Sequence, residues 1–162
     1  MLREARGMSS INEKEGFRWA FSGWTGELKT PADLLGKLEH DRDRMRADPI
    51  DVYAAFDFVV TAEHLPDWVG DKTIKQREPL LRIVSHLANG AKHFRATDPR
   101  HRSVRDVRVE PGVFDLDVFQ HDAFDVGKLV VDLDGDEAAA FGPSLGIPEL
   151  ADQVLAFWRS RV

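Results

Sequence analysis

The apolar period of the sequence changes near Pro99, and this change limits the chain to a mixed fold. Before Pro99, apolar residues recur every three or four positions, which is the spacing of amphipathic helices. After it, apolar and polar residues alternate over short stretches, as they do in strands with one buried face. The sequence therefore predicts an α+β fold, in which an antiparallel helical bundle precedes a small antiparallel β-meander and a C-terminal helix.

We expect one domain with an N-terminal extension. The chain has 162 residues, of which 43% are hydrophobic, and a domain of that size buries roughly two thirds of its unfolded surface. Residues 1–28 are predicted to form the extension, because the first part of this segment is polar without a sustained period. The domain then covers residues 29–162, with a helical part at 29–97 and a β-rich part with the last helix at 104–162.

Three main helices are predicted in the first half. The first begins at Pro31 after the capping residue Thr30, and its charged outer face includes Asp41. The second begins after Asp48, with Pro49 following, and Pro66 should end or kink it. The third covers residues 79–94 and should lie antiparallel to the second, because the connection is short. We expect the second helix to be central and mostly buried, since its apolar arc is broad: Val52, Tyr53, Phe56, Val59, Val60 and Leu65.

Extended structure is predicted after Pro99. The valines at 104–109 lead to a turn, and strands are predicted at 113–119 and 129–133. Asp134 and Gly135 favour a tight hairpin turn, after which residues 137–141 should return as a strand. A last helix begins near Pro148 and should pack across the meander or back on the helical half.

Composition excludes several classes of site. The absence of cysteine excludes disulfides and thiolate chemistry, and the sequence has neither a glycine-rich phosphate loop nor a Gly-x-Ser-x-Gly elbow. We therefore predict no cofactor, and we assign no metal ligand among the candidate site residues. No signal-peptide pattern is present, which predicts a cytoplasmic protein. The net charge of −6 argues against general nucleic-acid binding, although Lys92–Arg108 is a local basic segment.

Polar residues on the third helix form the main candidate site. Arg82, His86, Asn89 and His93 follow steps of four, three and four residues, so they share one helical face. Three interpretations remain open: a structural role between helices, a metal site that uses His64, His86 and a carboxylate, and a nucleotide or nucleic-acid site around His93. Helix-borne metal ligands usually come as histidine pairs three or four residues apart, and this chain has no such pair.

The segment Leu87–His93 resembles the signature helix of HEPN domains, which are helical and often carry Arg-Asn-x-x-x-His. Asn89 and His93 match that motif in identity and spacing, whereas Ala88 stands at the position of the arginine. In active HEPN members the arginine and histidine cleave RNA, usually across a dimer interface. The resemblance covers residues 31–96 in general shape.

The resemblance implies a HEPN-like binding or interaction protein without catalysis, because cleavage also needs a cation for the developing phosphate charge. Such domains occur in toxin–antitoxin and phage-defence systems, so a homodimer and a protein or RNA partner are implied. His93 and Asn89 are then the candidate catalytic positions, and the candidate binding residues are Arg82, His86, Lys92 and Arg95. The alternatives are a ribonuclease that uses His93 with a displaced cation, a metal-dependent hydrolase that uses His64 and His86, and a structural accessory protein without an active site.

Overall fold

The computed structural model describes residues 26–93, 103–112 and 127–162. These ranges contain six helices and a three-stranded antiparallel sheet, which confirms the α+β prediction. The elements in chain order are α1 (Pro31–Ala47), α2 (Val52–Val69), α3 (Ile74–Arg77), α4 (Pro79–His93), β1 (Val104–Glu110), β2 (Lys128–Leu133), α5 (Gly135–Phe141), β3 (Ser144–Gly146) and α6 (Ile147–Arg159).

Helix α1 begins where the sequence predicts it, at a reciprocal cap. The hydroxyl of Thr30 accepts a hydrogen bond from the Asp33 backbone N–H at 3.2 Å. The Asp33 carboxylate accepts one from the Thr30 backbone N–H at 2.8 Å. Both donors would otherwise lack a partner in the first turn, so the cap stabilises the helix by about 1 kcal/mol.

Asp41 departs from the predicted orientation of α1. It is fully buried, because it follows Leu34 by seven residues and so shares the inner face of the helix. Its carboxylate pairs with Lys37 and lies 3.6 Å from the guanidinium of Arg44, and Arg44 in turn bonds Asp57 of α2 at 2.6 Å. The prediction that Asp41 belongs to the outer charged face is therefore wrong. An apolar period does not reveal a carboxylate that is buried with its own cations.

Helix α2 begins three residues later than predicted. Asp51 is its N-cap and accepts hydrogen bonds from the Tyr53 and Ala54 backbone N–H groups at 2.8 and 3.0 Å. The predicted cap, Asp48, instead ends α1 as its C-cap. Pro66 lies inside α2, which continues to Val69 and ends at Gly70 with a φ of 84°, a left-handed conformation that favours glycine.

The sheet has β2 at its centre, with β1 and β3 antiparallel on either side. In its register, Val130 lies opposite Arg108 on one side and Gly146 on the other. The strand predicted at 137–141 is wrong, because these residues belong to α5, and Asp134 is the N-cap of that helix rather than a hairpin residue. Three consecutive alanines favour a helix there. The strand predicted at 113–119 lies outside the described residues.

Helix α6 joins the two halves of the molecule. It contacts α1, α2 and α4 on the helical side and β2 and β3 on the sheet side, so both predicted packing directions of this helix are realised. Trp158 of α6, Phe58 of α2 and Leu38 of α1 are fully buried in the shared core. Within the described ranges, no helix is long and apolar enough to cross a membrane.

Candidate functional site

Two grooves border the C-terminal half of α4. The first groove has a volume of about 550 Å³ and lies between α2, α4 and β1. The second groove has a volume of about 540 Å³ and lies between α4 and the middle and C-terminal parts of α2. Phe56 and Ala91 border both grooves. The polar face predicted on the third helix is divided between them, with His86 in the first and Asn89 in the second.

A chain of four polar side chains runs beside the first groove and links α4 to the sheet and to α5. The Arg82 Nε donates to the Glu137 Oε1 at 2.6 Å, and Ser103 hydrogen-bonds both the Glu137 carboxylate and, at 2.7 Å, the His86 Nδ1. These contacts join α4 to the residue before β1 and to α5.

Glu137 is buried and stays ionised. Burial alone would raise the pKa of its carboxyl, but hydrogen bonds from Arg82, from its own backbone N–H and from Ser103 outweigh burial and lower the pKa below the ordinary value. The Arg82 guanidinium is held in place by a second contact, because its Nη1 donates to the Gln76 backbone carbonyl at 3.0 Å. Arg82 and His86 are therefore committed to contacts inside the molecule.

The second groove carries a different set of polar residues. From α4 it receives Ser85, Asn89 and Lys92, and from α2 it receives Glu63, His64 and Asp67. The Glu63 carboxylate accepts from the Ser85 hydroxyl at 3.2 Å and pairs with Lys75 of the short helix α3.

The residues of the HEPN-like segment lie near the open end of α4. Asn89 is half-buried in the second groove, whereas Lys92 and His93 are exposed in the last turn of the helix. Arg95 lies outside the described residues. Ala88, at the position of the motif's arginine, is buried and borders the second groove. The structure thus brings Asn89 and Lys92 into one groove and leaves Arg82 and His86 in another environment.

Arg82 is badly placed to replace the arginine that the motif lacks. It precedes His93 by eleven positions, which corresponds to about 16 Å along a helix axis, and its guanidinium is bound to Glu137. Lys92 is the cation next to His93 in the described part of α4. The lysine ammonium is a single point charge without the bidentate fork of a guanidinium.

The two histidines of the metal-site interpretation are not brought together. His64 is exposed and borders the second groove, whereas His86 is buried beside the first and bonded to Ser103. Among the described residues, no group of three or more histidine, aspartate or glutamate side chains could hold a metal ion.

Sequence reasoning missed the surface between the grooves. Val52, Tyr53 and Phe56 on the first turns of α2 are 58%, 80% and 49% exposed, although the breadth of the apolar arc predicted a buried helix. We call these three side chains the α2 ridge. The apolar arc of α2 is wider than the face that one helix can bury, and this width was the available signal for an exposed apolar surface. On sequence alone, the whole arc is assigned to the core.

Gly90 lies inside α4 without close packing against its Cα. A Cβ built at this position would have no atom of another group within 4 Å, so close packing by the described chain does not require the glycine. The position borders the first groove. Comparison with known proteins adds no further assignment, since no family model, no curated protein and no solved structure matches this chain.

Proposed function

We propose that this protein is a HEPN-like, non-catalytic binding protein, and that a protein partner docks on the α2 ridge. The observation that carries the proposal is the exposure of Val52, Tyr53 and Phe56 on successive turns of one helix face. Contiguous exposed apolar side chains of this size mark interaction surfaces on soluble domains. The grooves on either side of Phe56 give a partner two depressions to fill.

The apolar character of the ridge favours a protein partner over RNA. The carboxylates near it are each paired with a cation of this chain: Glu63 with Lys75, Asp67 with Lys72, and Asp51 and Asp57 with Arg44. The ridge therefore offers RNA no unpaired row of cations for its phosphates, whereas the apolar face of a helix would complement its side chains. An amphipathic helix laid across a groove is a common mode of such recognition.

The absence of catalysis is argued from the incomplete motif. Cleavage of RNA needs a proton-transfer group and a fixed cation near the developing charge. His93 can transfer a proton, but Ala88 offers no guanidinium, and Arg82 is bound elsewhere. Residues Asn89 and Lys92 then serve as polar contacts at the edge of the docking surface. The toxin–antitoxin or phage-defence setting follows from the HEPN resemblance alone.

The docking surface can be tested with a synthetic amphipathic peptide. The probe is a helical peptide with leucines at every third or fourth position and lysines between them, and its control has the same composition in scrambled order. We expect fluorescence anisotropy to show binding of the ordered peptide, weakened at least about tenfold by Phe56→Asp, since a buried anchor of this kind contributes above 1 kcal/mol. The matched control is Val69→Asp, which adds the same charge at an exposed apolar site at the other end of α2.

Two results would contradict the proposal. One is equal affinity of the peptide for the wild type and for Phe56→Asp, or equal affinity for the scrambled peptide. The other is degradation of a single-stranded RNA oligonucleotide that is lost in His93→Ala, which would assign the protein as a ribonuclease with a displaced cation. If none of these variants changes peptide binding or RNA degradation, the structural accessory role is the remaining interpretation.

A further inference from the structure

The outer edge of β1 presents backbone groups that the described sheet does not pair. The backbone N–H groups of Leu129 and Leu133 in β2 donate to the carbonyls of Pro49 and Pro143 at 3.1 and 2.9 Å, which lie on the side away from β1. Successive residues of a strand point their backbone groups to opposite sides. Val130, between the two leucines, therefore faces β1 and its register partner Arg108.

The same alternation fixes which residues of β1 point outward. Because Arg108 faces β2, its neighbours Val107 and Val109 direct their N–H and C=O groups to the edge that no described strand pairs. The hydrogen bonds agree, since the Val107 N–H donates to the Asp106 Oδ1 of its own strand at 2.8 Å. The side chains of Val107 and Val109 are 43% and 52% exposed. An edge with exposed valines and outward-facing backbone groups is a template for another strand.

We infer that a second copy of this chain pairs with β1, antiparallel and with the twofold axis at Val107. In this register Val107 lies opposite Val107 of the second copy, and the two residues exchange two backbone hydrogen bonds. Asp106 lies opposite Arg108 of the second copy, and the same pair occurs again on the other side of the axis. When the strand pairs antiparallel with a copy of itself, opposite charges therefore face each other at both positions. This inference concerns β1 alone and does not depend on the function proposed for the α2 ridge.

The charges of β1 support a second copy over an unrelated strand. Asp106 lies opposite Asp132 in the β1–β2 register, and two carboxylates in that relation destabilise a sheet. The arginines on either side of Asp106 are directed elsewhere: Arg108 bonds Asp132 at 3.2 Å, and Arg105 lies 3.6 Å from Asp134. Because Arg108 uses its Nε on Asp132, the other N–H groups of its guanidinium in the second copy remain to reach Asp106.

Pairing also redistributes the hydrogen bonds at the edge. In the single chain the Asp106 carboxylate accepts from the Val107 N–H, which protects this donor from a chance partner. In the pair this N–H donates to the Val107 carbonyl of the second copy, and the Asp106 carboxylate is released to Arg108. The bulge in β1 lies between Val104 and Asp106, so the stretch from Asp106 to Glu110 keeps a regular register for the second copy.

The test is the oligomeric state of the full chain, measured by sedimentation velocity over a range of concentrations. We expect the wild type to dimerise with a micromolar dissociation constant, as is usual for small interfaces. Asp106→Arg and Arg108→Asp each place like charges opposite each other and should weaken the dimer by roughly tenfold or more. An equal mixture of the two variants restores both opposite-charge pairs and should dimerise as the wild type does. The matched control is Arg46→Asp, which makes the same charge change at an exposed position of α1.

A backbone variant keeps the test valid if Arg108→Asp fails to fold. Val107→Pro removes a donor that points away from β2, so it should abolish the dimer while the circular dichroism spectrum stays that of the wild type. A wild type that remains monomeric at the highest concentration would overturn the inference. So would a dimer that Asp106→Arg and Val107→Pro leave unchanged, because it would form through another surface.

Discussion

The two grooves beside α4 use the polar residues of one helix in opposite ways. Beside the first groove, Arg82 and His86 are joined through Ser103 and Glu137 into one hydrogen-bonded chain that fastens α4 to the sheet and to α5. In the second groove, Asn89 is half-buried, and Lys92 at its rim is exposed. The difference teaches that helical spacing identifies a polar face but does not separate its structural part from its accessible part.

The largest loss of stability should come from substitution of Glu137, which contacts both Arg82 and Ser103. Glu137→Ala leaves the Arg82 guanidinium without its carboxylate and Ser103 without its acceptor, which should lower the free energy of unfolding by about 3 kcal/mol. Urea denaturation measures this change. The control is Asp136→Ala on the exposed side of the same helix, where we expect a change within about 0.5 kcal/mol. Equal small losses for both variants would remove the contrast between the grooves.

Removal of the histidine should have an intermediate effect. His86→Ala deletes a buried ring and its bond to Ser103, and we expect a loss of about 2 kcal/mol of unfolding free energy. A double-mutant cycle with Ser103→Ala isolates the bond itself and should give a coupling energy of about 1 kcal/mol. A coupling energy of zero would show that the two side chains do not stabilise each other.

Acid should lower the unfolding free energy of the protein by protonating Glu137. Its pKa in the folded protein is lowered, after Arg82 and the other donors outweigh burial, so its ionised form stabilises the fold above the unfolded pKa of about 4.5. That contribution is lost as the pH falls through the lower pKa of the folded state. We expect the unfolding free energy of Glu137→Gln to fall less steeply than that of the wild type between pH 5 and pH 3, as measured by urea denaturation at each pH.

The unfolding free energy of Glu137→Gln should still fall between pH 5 and pH 3, because another carboxylate also loses its stabilising contacts on protonation. Hydrogen bonds from the Lys29 backbone, from Thr30 and from the Thr30 backbone also lower the pKa of Asp33. The comparison is therefore between two slopes, and identical slopes would show that Glu137 does not contribute to the acid sensitivity.

The smallest effect on stability should come from the second groove. Asn89→Ala removes a half-buried amide at the rim of an open depression, so the unfolding free energy should change by no more than about 0.5 kcal/mol. Thermal or urea denaturation measures it beside His86→Ala. A loss above about 1.5 kcal/mol would place Asn89 with the structural residues, and the candidate site would then lose the residue that carries its HEPN-like motif.

Local signals in the sequence predicted the parts of the fold that depend on neighbours in the chain. The start of α1 follows from Thr30, Pro31 and Asp33, because a cap is made within one turn. The apolar period of α4 predicted its start at Pro79. The prediction for the region after Asp134 was wrong because aspartate followed by glycine is compatible with both a hairpin and a helix start. The alanines that follow decide for the helix.

The candidate site was less predictable, because its partners are distant in the chain. Arg82 and His86 were named from their spacing, but their roles depend on Glu137, which is 55 residues from Arg82, and on Ser103. No periodicity in α4 contains that information. The adjacency of Asn89 and Lys92 could be predicted, since residues three apart share a helix face. The HEPN resemblance of this segment stays a prediction.

The position of α6 has a consequence for how the protein is made. Its Trp158 and Leu150 complete a core whose other walls come from α1, α2 and α4, which leave the ribosome many residues earlier. The early helices therefore carry uncovered apolar surface throughout the synthesis of the sheet region. During that interval the nascent chain is the form most in need of a chaperone.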